Sequence, residues 1–346
     1  MYLKQVDFSP MNSSVFQCID AHTTGNPVRV VTSGIPPLNG VDMAAKRLDF
    51  LAHWDWIRTG LMFEPRGHDM MSGSMFFPPH DPEHDAAILF IETSGCLPMC
   101  GHGTIGSITI AIERGLIKPK TPGVVLLETP AGLVKVSYTE NSSKVTSVKL
   151  INIPSFLAKS GLSCMHSILG TIVFDVAYGG NFYAIVDPQP NFKGVEHYSA
   201  MQLITFSQEL RNSIAQEYPD LFIHPTDHRI RGVSHIQWTG AALDEKSHGR
   251  NAVFYGDKAI DRSPCGTGTS ARMAQLYAKG KLNVGDDFIH ESFIGSTFKG
   301  RIESVREESW GTAIIPSIEG WAKIYGDNRI TIDAQDDPYA YGFQVI

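Results

Sequence analysis

The pattern Cys-Gly-x-Gly-Thr occurs twice in this chain of 346 residues. The two copies, at 100–104 and 265–269, are separated by close to half of the chain. Each copy continues into a helical pattern, at Ile105 to Arg114 and at Ser270 to Lys279. A duplication at this separation predicts two similar domains, each with a helix that begins beside a cysteine.

A cysteine beside a glycine-rich helix start combines two chemical properties. The first N–H groups of a helix lack intrahelical partners and carry partial positive charge, which favours a bound carboxylate. The same field lowers the pKa of a thiol, so we expect Cys100 or Cys265 to be partly ionised near neutral pH. In the second copy, Ser263 and Pro264 fit an N-cap and a first helical position, which would place Cys265 in the first turn.

Two such cysteines suggest acid–base chemistry on opposite faces of one carbon. One thiolate would remove a proton from a carbon next to a carboxylate, and the other thiol would deliver a proton to the opposite face. Backbone amides that bind the carboxylate would also stabilise the negative charge that forms as the proton leaves. This scheme requires no cofactor and no metal.

Length, composition and charge limit the classes of protein to which this chain can belong. The length favours two domains, and 42% hydrophobic with 19% charged residues fits a soluble globular chain. A net charge of −7 without a Lys/Arg run argues against nucleic-acid binding, and the lack of a long apolar stretch argues against a membrane span. Five cysteines and no secretory signal predict free thiols in a reducing compartment, the cytoplasm. The sequence leaves a homodimer open.

Other interpretations of the motifs have less support. Cys96, Cys100 and His102 could supply three zinc ligands, but no second pair follows at zinc-site spacing. The first copy also satisfies the dinucleotide fingerprint GxGxxG, without the strand–turn–helix context and the alternating βαβ order that the fingerprint needs. The predicted compartment disfavours a disulfide between Cys100 and Cys265. Two chemically inert glycine turns with buried cysteines stay open.

The predicted elements follow a similar order in the two halves, which indicates an α+β fold. The domain boundary is expected near Pro154 to Ser160, with the site between the domains. Strands are predicted at 15–20, 28–32, 86–92, 124–128, 133–138, 145–153, 168–177, 182–186, 234–239 and 251–255, with a final antiparallel meander at 301–308, 311–318 and 320–325, and further helices at 46–58 and 201–216.

Longer stretches around the two motifs resemble the proline racemase family. They are Met-Cys-Gly-His-Gly-Thr-Ile-Gly at 99–106 and Asp-Arg-Ser-Pro-Cys-Gly-Thr-Gly-Thr-Ser-Ala at 261–271. The resemblance extends from about residue 15 to about residue 338, with further matching stretches at 20–23, 64–67, 179–182 and 294–296.

This resemblance implies the diaminopimelate-epimerase-like fold. In that fold two pseudo-symmetric domains each curl a sheet around a central helix, and the active site occupies the cleft between them. On this basis we expect 1–156 and 327–346 in the first domain and 157–326 in the second. The last strand, around Ile330 to Asp333, would return to the first domain.

The resemblance also implies cofactor-independent chemistry on a proline-type imino acid. The trans-3-hydroxyproline dehydratases of the family typically lack one catalytic cysteine, and its proline racemases typically carry Cys-Gly-His-Asn. The motif Cys-Gly-His-Gly-Thr is similar to that of the 4-hydroxyproline 2-epimerases, which interconvert trans-4-hydroxy-L-proline and cis-4-hydroxy-D-proline. A proline racemase, a broad hydroxyproline epimerase and a non-catalytic imino-acid-binding protein stay open as alternatives.

Positions carried over from the family give roles to individual residues. Asp261 is implied to bind the ring ammonium, although it could instead be a capping or turn residue. Ser72, near the other end of the cleft, is a further candidate for the ring-hydroxyl contact that His235 is implied to make. Two stretches depart from the family pattern, Thr-Thr-Gly-Asn at 23–26 and Ser-Gly-Cys-Leu-Pro at 94–98. The other implied roles are Cys100 and Cys265 as the acid–base pair, with Cys100 as proton acceptor in the forward direction; Gly101, His102, Gly266 and Thr267 for the carboxylate; and His235 for a ring hydroxyl.

Overall fold

A computed structural model describes residues 13–345. Residues 1–12 and 346, which belong to the predicted first domain, lie outside the described part of the chain. The described residues form 18 strands: β1 (Ser14–Thr23), β2 (Asn26–Ser33), β3 (Ser72–Phe77), β4 (Ala86–Glu92), β5 (Gly95–Leu97), β6 (Val124–Thr129), β7 (Gly132–Asn141), β8 (Lys144–Ile151), β9 (Phe156–His166), β10 (Gly170–Tyr178), β11 (Phe182–Val186), β12 (Val233–Gly240), β13 (Gly249–Tyr255), β14 (Ala259–Ile260), β15 (Asp287–Glu291), β16 (Thr297–Glu308), β17 (Gly311–Gly320) and β18 (Ala322–Ile332). The same residues form five α-helices: α1 (Met43–His53), α2 (Asp55–Met62), α3 (Gly101–Glu113), α4 (Ala200–Glu217) and α5 (Gly266–Ala278).

The two halves of the chain repeat one order of strand pairing. In the first half β1 pairs antiparallel with β2, β2 parallel with β3, β3 antiparallel with β4, and β4 parallel with β6. The second half repeats the series with β10, β11, β12, β13 and β15. The helices α3 and α5 occupy equivalent places, between β5 and β6 and between β14 and β15. This repeat is the internal similarity that the duplicated motif predicts.

Each half encloses its central helix. The helix α3 contacts β1, β2, β8 and β18, whereas α5 contacts the equivalent strands β10, β11, β17 and β9. Because strands surround α3, every residue from Gly101 to Ala111 is buried, and α5 is buried in the same way from Gly266 to Gln275 apart from Arg272. A helix that is buried on all sides brings its N-terminus into the protein interior.

Strands that cross between the halves join them. The strands β8 and β17 pair antiparallel, so the late hairpins of the two halves form a continuous sheet. The strand β18 returns to pair with β1 along its whole length, from Ser14↔Ile332 to Thr23↔Ala322. The prediction of a third meander strand at 320–325 is therefore wrong, since these residues lead into and begin β18. Alternation in a sequence indicates two faces of a strand but not its partner.

Two further predictions need adjustment at the level of single elements. The helical pattern at 46–58 forms two helices, because the chain turns at Trp54, whose N–H donates to the Phe50 carbonyl at the end of α1. The expected boundary segment at 154–160 contains the start of β9, a strand that pairs with β10.

Among residues 13–345, no helix is long and apolar enough to cross a membrane.

Candidate active site

The two central helices meet at their N-termini. A Cβ atom on Gly101 would lie 2.5 Å from the Cα of Gly266, and a Cβ on Gly266 would lie 2.6 Å from the Cα of Gly101. Any side chain at either position would therefore overlap backbone atoms, so this approach requires glycine at both. The first-turn amides of both helices, which lack intrahelical partners, thus lie in one small region together with the positive ends of both helix dipoles.

The two motif cysteines are the N-cap residues of these helices and line one buried cavity. Sγ of Cys100 accepts a hydrogen bond from the Gly103 N–H at 3.3 Å. Cys265 is the N-cap of α5, so the prediction of Ser263 at that position is wrong by two residues; the Ser263 hydroxyl accepts from the Cys265 N–H instead. Cys265 has a φ of +63°, a conformation that costs a non-glycine residue about 1 to 3 kcal/mol. The cavity is lined by Glu92, Leu97, Cys100, His102, Tyr183, His235, Tyr255, Asp261, Cys265 and Thr267.

The predicted site residues therefore come together. Cys100, Cys265, His102 and Thr267 line the cavity at the helix starts, and Gly101 and Gly266 form the contact beneath it. His235 and Asp261 also line the cavity. Ser72, the further candidate for the ring hydroxyl, is not one of the cavity-lining residues and lies opposite Glu92 in the register of β3 and β4.

His102 is held in one tautomer by its neighbours. The Arg262 N–H donates to Asn26 Oδ1 at 3.0 Å, which orients the Asn26 amide so that Nδ2 lies 3.0 Å from His102 Nε2. Since the amide nitrogen donates, Nε2 accepts, and the neutral ring carries its proton on Nδ1. That nitrogen lies 3.5 Å from Cys100 Sγ and 3.9 Å from Asp261 Oδ2. Burial lowers the pKa of His102, so the neutral ring can donate to the thiol, whereas the carboxyl lies beyond hydrogen-bond distance.

Asp261 uses its two oxygens in different ways. Oδ1 accepts hydrogen bonds from the Ser263 N–H and hydroxyl, both at 2.8 Å, whereas Oδ2 faces His102. The turn role and the substrate role that the sequence leaves open are thus compatible. Burial raises the pKa of Asp261, and an ammonium group in the cavity would favour its charged form.

The two thiols have different hydrogen-bond partners. Sγ of Cys100 donates to Glu92 Oε1 at 3.1 Å, whereas Sγ of Cys265 lies 3.3 Å from the Tyr183 hydroxyl, which also lies 2.5 Å from Thr267 Oγ1. Glu92 and Tyr183 are absent from the residues predicted by sequence. The available signal for Glu92 was a single acid at the end of an otherwise apolar strand. Tyr183, in an apolar strand next to a matching family stretch, carried no comparable signal.

Burial raises the pKa of both thiols. At Cys100 the negative charge of Glu92 raises it further and the Gly103 N–H opposes the rise, whereas at Cys265 burial and Asp261 raise it and the Tyr183 hydroxyl lowers it. This direction is opposite to the lowering predicted from the helix starts, because desolvation outweighs their effect.

His235 presents a neutral ring to the cavity. Its Nδ1 lies 2.7 Å from the Ser234 hydroxyl, and the ring stacks on Tyr183 with 4.7 Å between centroids. Burial lowers the pKa of His235 to about 3, so the imidazole stays neutral and can donate a hydrogen bond to a neutral polar group or accept one from it.

One group of side chains has the composition of a metal site. Ligand atoms of Glu92, Cys100 and His102 lie within 4.8 Å of one another. The set of Cys96, Cys100 and His102 suggested by spacing does not form, because Cys96 packs in an apolar cluster with Ile91 on the other face of β5 from Leu97. The Asn26 hydrogen bond also places a proton on the His102 nitrogen nearer to Sγ, and that proton would have to move before this nitrogen could bind a metal.

Two similar α+β halves with a cysteine on each central helix define the class of protein. The sequence profile of the proline racemase family matches residues 18–344 of this chain, and the chain belongs to this family. It is 63% identical over 332 residues to a 4-hydroxyproline 2-epimerase of Spirosoma linguale, and the aligned region covers 96% of this chain and 98% of that protein.

Solved structures agree with this assignment. A hydroxyproline epimerase from Agrobacterium vitis with bound trans-4-hydroxy-L-proline superposes with a TM-score of 0.86, at 30% identity over 96% of each chain. A phenazine biosynthesis protein of the PhzF family from Bacillus anthracis shares the fold, with a TM-score of 0.59 and 18% identity over 92% of this chain and 99% of that one. These likenesses confirm the predicted fold class.

Proposed function

We propose that this protein is a cofactor-independent 4-hydroxyproline 2-epimerase, which interconverts trans-4-hydroxy-L-proline and cis-4-hydroxy-D-proline. The observation that carries the proposal is the pair of thiols, Cys100 and Cys265, at two meeting helix starts in one buried cavity. The names of the Spirosoma and Agrobacterium vitis relatives, and the hydroxyproline bound to the latter, support the choice of substrate.

The proposed reaction uses the amides of the two helix starts to bind the substrate. The carboxylate accepts hydrogen bonds from the first-turn N–H groups at Gly101, His102, Gly266 and Thr267. The ring ammonium faces Asp261 Oδ2, the oxygen that is not used in the turn. This orientation directs the two faces of Cα toward different thiols.

Proton transfer then inverts Cα. In the forward direction the Cys100 thiolate takes the Cα proton, and the electron pair of the C–H bond moves into the carboxylate, where the amides stabilise it. The Cys265 thiol delivers its proton to the opposite face and becomes the thiolate. The reverse reaction uses the same groups in exchanged roles.

His235 is proposed to hydrogen-bond the ring hydroxyl, and this role can be tested by comparing substrates. We expect the wild-type protein to epimerise trans-4-hydroxy-L-proline faster than L-proline or trans-3-hydroxy-L-proline. His235→Leu should lower kcat/KM for the 4-hydroxylated substrate by about tenfold, the value of one hydrogen bond, and change that for proline much less. Faster turnover of unsubstituted proline would favour the proline racemase alternative, and no turnover of any imino acid would contradict an enzymatic function.

Two coarser assignments accompany this function. We infer two domains that divide near residue 156, with the chain returning to the first domain at β18. Because β18 pairs with β1 from Ala322 onward, we place the start of this return at 322 and not at the expected 327. We also infer a reducing, cytoplasmic location, because all five cysteines are free and buried. Three of them, Cys18, Cys96 and Cys164, have their pKa raised to about 12 by burial, as expected for structural thiols.

A further inference from the structure

The carboxyl group of Glu92 is placed against Cys100 by the apolar strand that precedes it. Ala86–Ile91 of β4 are apolar and buried, and Glu92 ends the strand with its side chain in the cavity. Arg58 Nη1 donates to the Glu92 carbonyl at 2.9 Å, which fixes the backbone at this point. The distance of 3.1 Å between Oε1 and Sγ is short enough for direct proton transfer.

The surroundings of this carboxyl suit a proton acceptor better than a structural ion. Its side-chain oxygens accept from Cys100 Sγ and from the Ser94 hydroxyl at 3.2 Å, and the neutral Ser72 hydroxyl also lies beside them, whereas Arg58 contacts only the backbone of Glu92. A buried carboxylate without a cation is costly, and burial accordingly raises the pKa of Glu92. A carboxyl group with a raised pKa takes up a proton more readily.

The second half of the molecule has no acid at the corresponding place. Tyr255 ends β13, the strand equivalent to β4, and donates its hydroxyl to the Met70 carbonyl at 2.7 Å. Cys265 lies beside the Tyr183 hydroxyl instead. The repeat therefore departs from symmetry at the residues that control the protons of the two thiols.

We propose that Glu92 is the proton acceptor that generates the Cys100 thiolate. The proposal rests on the two-thiol function above. In this step the S–H bond of Cys100 breaks, an O–H bond forms on Glu92 Oε1, and the negative charge moves from the carboxylate to sulfur. The Gly103 N–H and His102 Nδ1–H, at 3.3 and 3.5 Å from Sγ, stabilise the thiolate. When Cys100 acts as the acid, Glu92 holds the proton of its thiol in a hydrogen bond.

Glu92→Gln separates proton uptake from hydrogen bonding. The amide oxygen can still accept from the Cys100 thiol, but it cannot take the proton. We expect kcat/KM to fall about 10²- to 10³-fold, and by the same factor in both directions, because the substrates alone fix the equilibrium constant. Ser94→Ala is the matched comparison, since it removes a donor to Oε2 and keeps the carboxyl; it should lose far less kcat/KM than Glu92→Gln. Glu92→Asp keeps a titratable carboxyl and should recover at least tenfold of the loss.

A second measurement reports on the contact itself. Without substrate, the ratio of iodoacetamide alkylation at Cys100 to that at Cys265, measured by peptide mass spectrometry, should fall several-fold in Glu92→Gln. The reason is that the thiolate is the form that alkylates, and the variant has lost the acceptor that lies 3.1 Å from Cys100 Sγ. A merely structural role predicts an unchanged ratio.

Wild-type turnover in Glu92→Gln would overturn the proposal, as would lost turnover with an unchanged alkylation ratio or with no recovery in Glu92→Asp. A wild-type protein that epimerises no imino acid contradicts the proposed function instead. The alkylation ratio would still report on the contact between Glu92 and Cys100, so the two failures are distinguishable.

Discussion

Gly101 and Gly266 allow the two helix starts to meet, because the backbone of each residue lies where a side chain on the other would be. In Gly101→Ala the new methyl group would lie 2.5 Å from the Cα of Gly266. We expect the free energy of unfolding to fall by about 1 to 3 kcal/mol and epimerase activity to fall at least 100-fold, because the helix starts must separate. Gly249→Ala is the control, since its nearest neighbour would be 3.7 Å away. Denaturation and activity assays compare the two; a stable, active Gly101→Ala protein contradicts the predicted clash.

Asn26 lies in a stretch that departs from the family pattern, and it determines the tautomer of His102. In Asn26→Asp both side-chain oxygens accept, so His102 Nε2 must carry a proton, and the negative charge raises the pKa of the ring. We expect kcat/KM to fall about tenfold or more, because Nδ1 no longer donates to the Cys100 thiolate unless the ring is charged. Nitrogen NMR of labelled histidine reads the tautomer directly. An Nδ1–H tautomer that persists in Asn26→Asp contradicts this account.

At the scale of elements, the meeting of α3 and α5 places two positive helix ends together. This arrangement favours a bound anion. We expect trans-4-hydroxy-L-proline at 100 times its Kd to stabilise the protein by about 2.7 kcal/mol, which raises Tm by several degrees. The carboxamide of the same imino acid lacks the anionic group and should raise Tm far less. Equal shifts from acid and amide would show that the helix starts do not bind the carboxylate.

The same scale shows how much of the molecule is predictable from the sequence. Alternation located most strands, and the duplicated motif located both central helices, because these signals are local. The strand with which β18 pairs, β1, is distant in the sequence, so a local pattern cannot identify it. Without the family resemblance, the first residues of β18 fitted a third strand of the preceding meander equally well. Glu92 and Tyr183 enter the site only through tertiary contacts, and the competition between burial and the helix starts at the thiols is likewise visible only in the folded chain.

At the scale of the whole molecule, buried titratable groups predict how stability depends on pH. Burial lowers the pKa of His235 and His290 from 6.5 to about 3. The unfolded chain therefore binds more protons between these values, and the free energy of unfolding should fall as the pH drops from about 6.5 toward 3. Cys18 and Cys96, with pKa raised from 9.0 to about 12, ionise only after unfolding, so stability should also fall as the pH rises above 9.

Urea denaturation across this pH range measures both effects. The raised pKa values of Glu92 and Asp261 act in the opposite sense on the acid side, because the folded protein holds those protons more tightly. A single substitution isolates the histidine contribution. His290→Gln can keep a hydrogen bond to Thr269. On the acid side it should reduce the slope of the free energy of unfolding against pH by an amount that corresponds to up to about one bound proton. An unchanged slope would contradict the neutral, buried state of His290.

The central claim is that the two halves supply opposed thiols to a single carbon, and solvent isotope tests it most directly. Trans-4-hydroxy-L-proline is incubated with the protein in deuterated water, and Cα protons of substrate and product are followed by NMR during the first few turnovers. Because one thiol removes the proton and the other delivers one already exchanged with solvent, the cis-4-hydroxy-D-proline formed should carry deuterium at Cα while the remaining substrate carries almost none. Product that retains the substrate's own Cα proton would contradict the account.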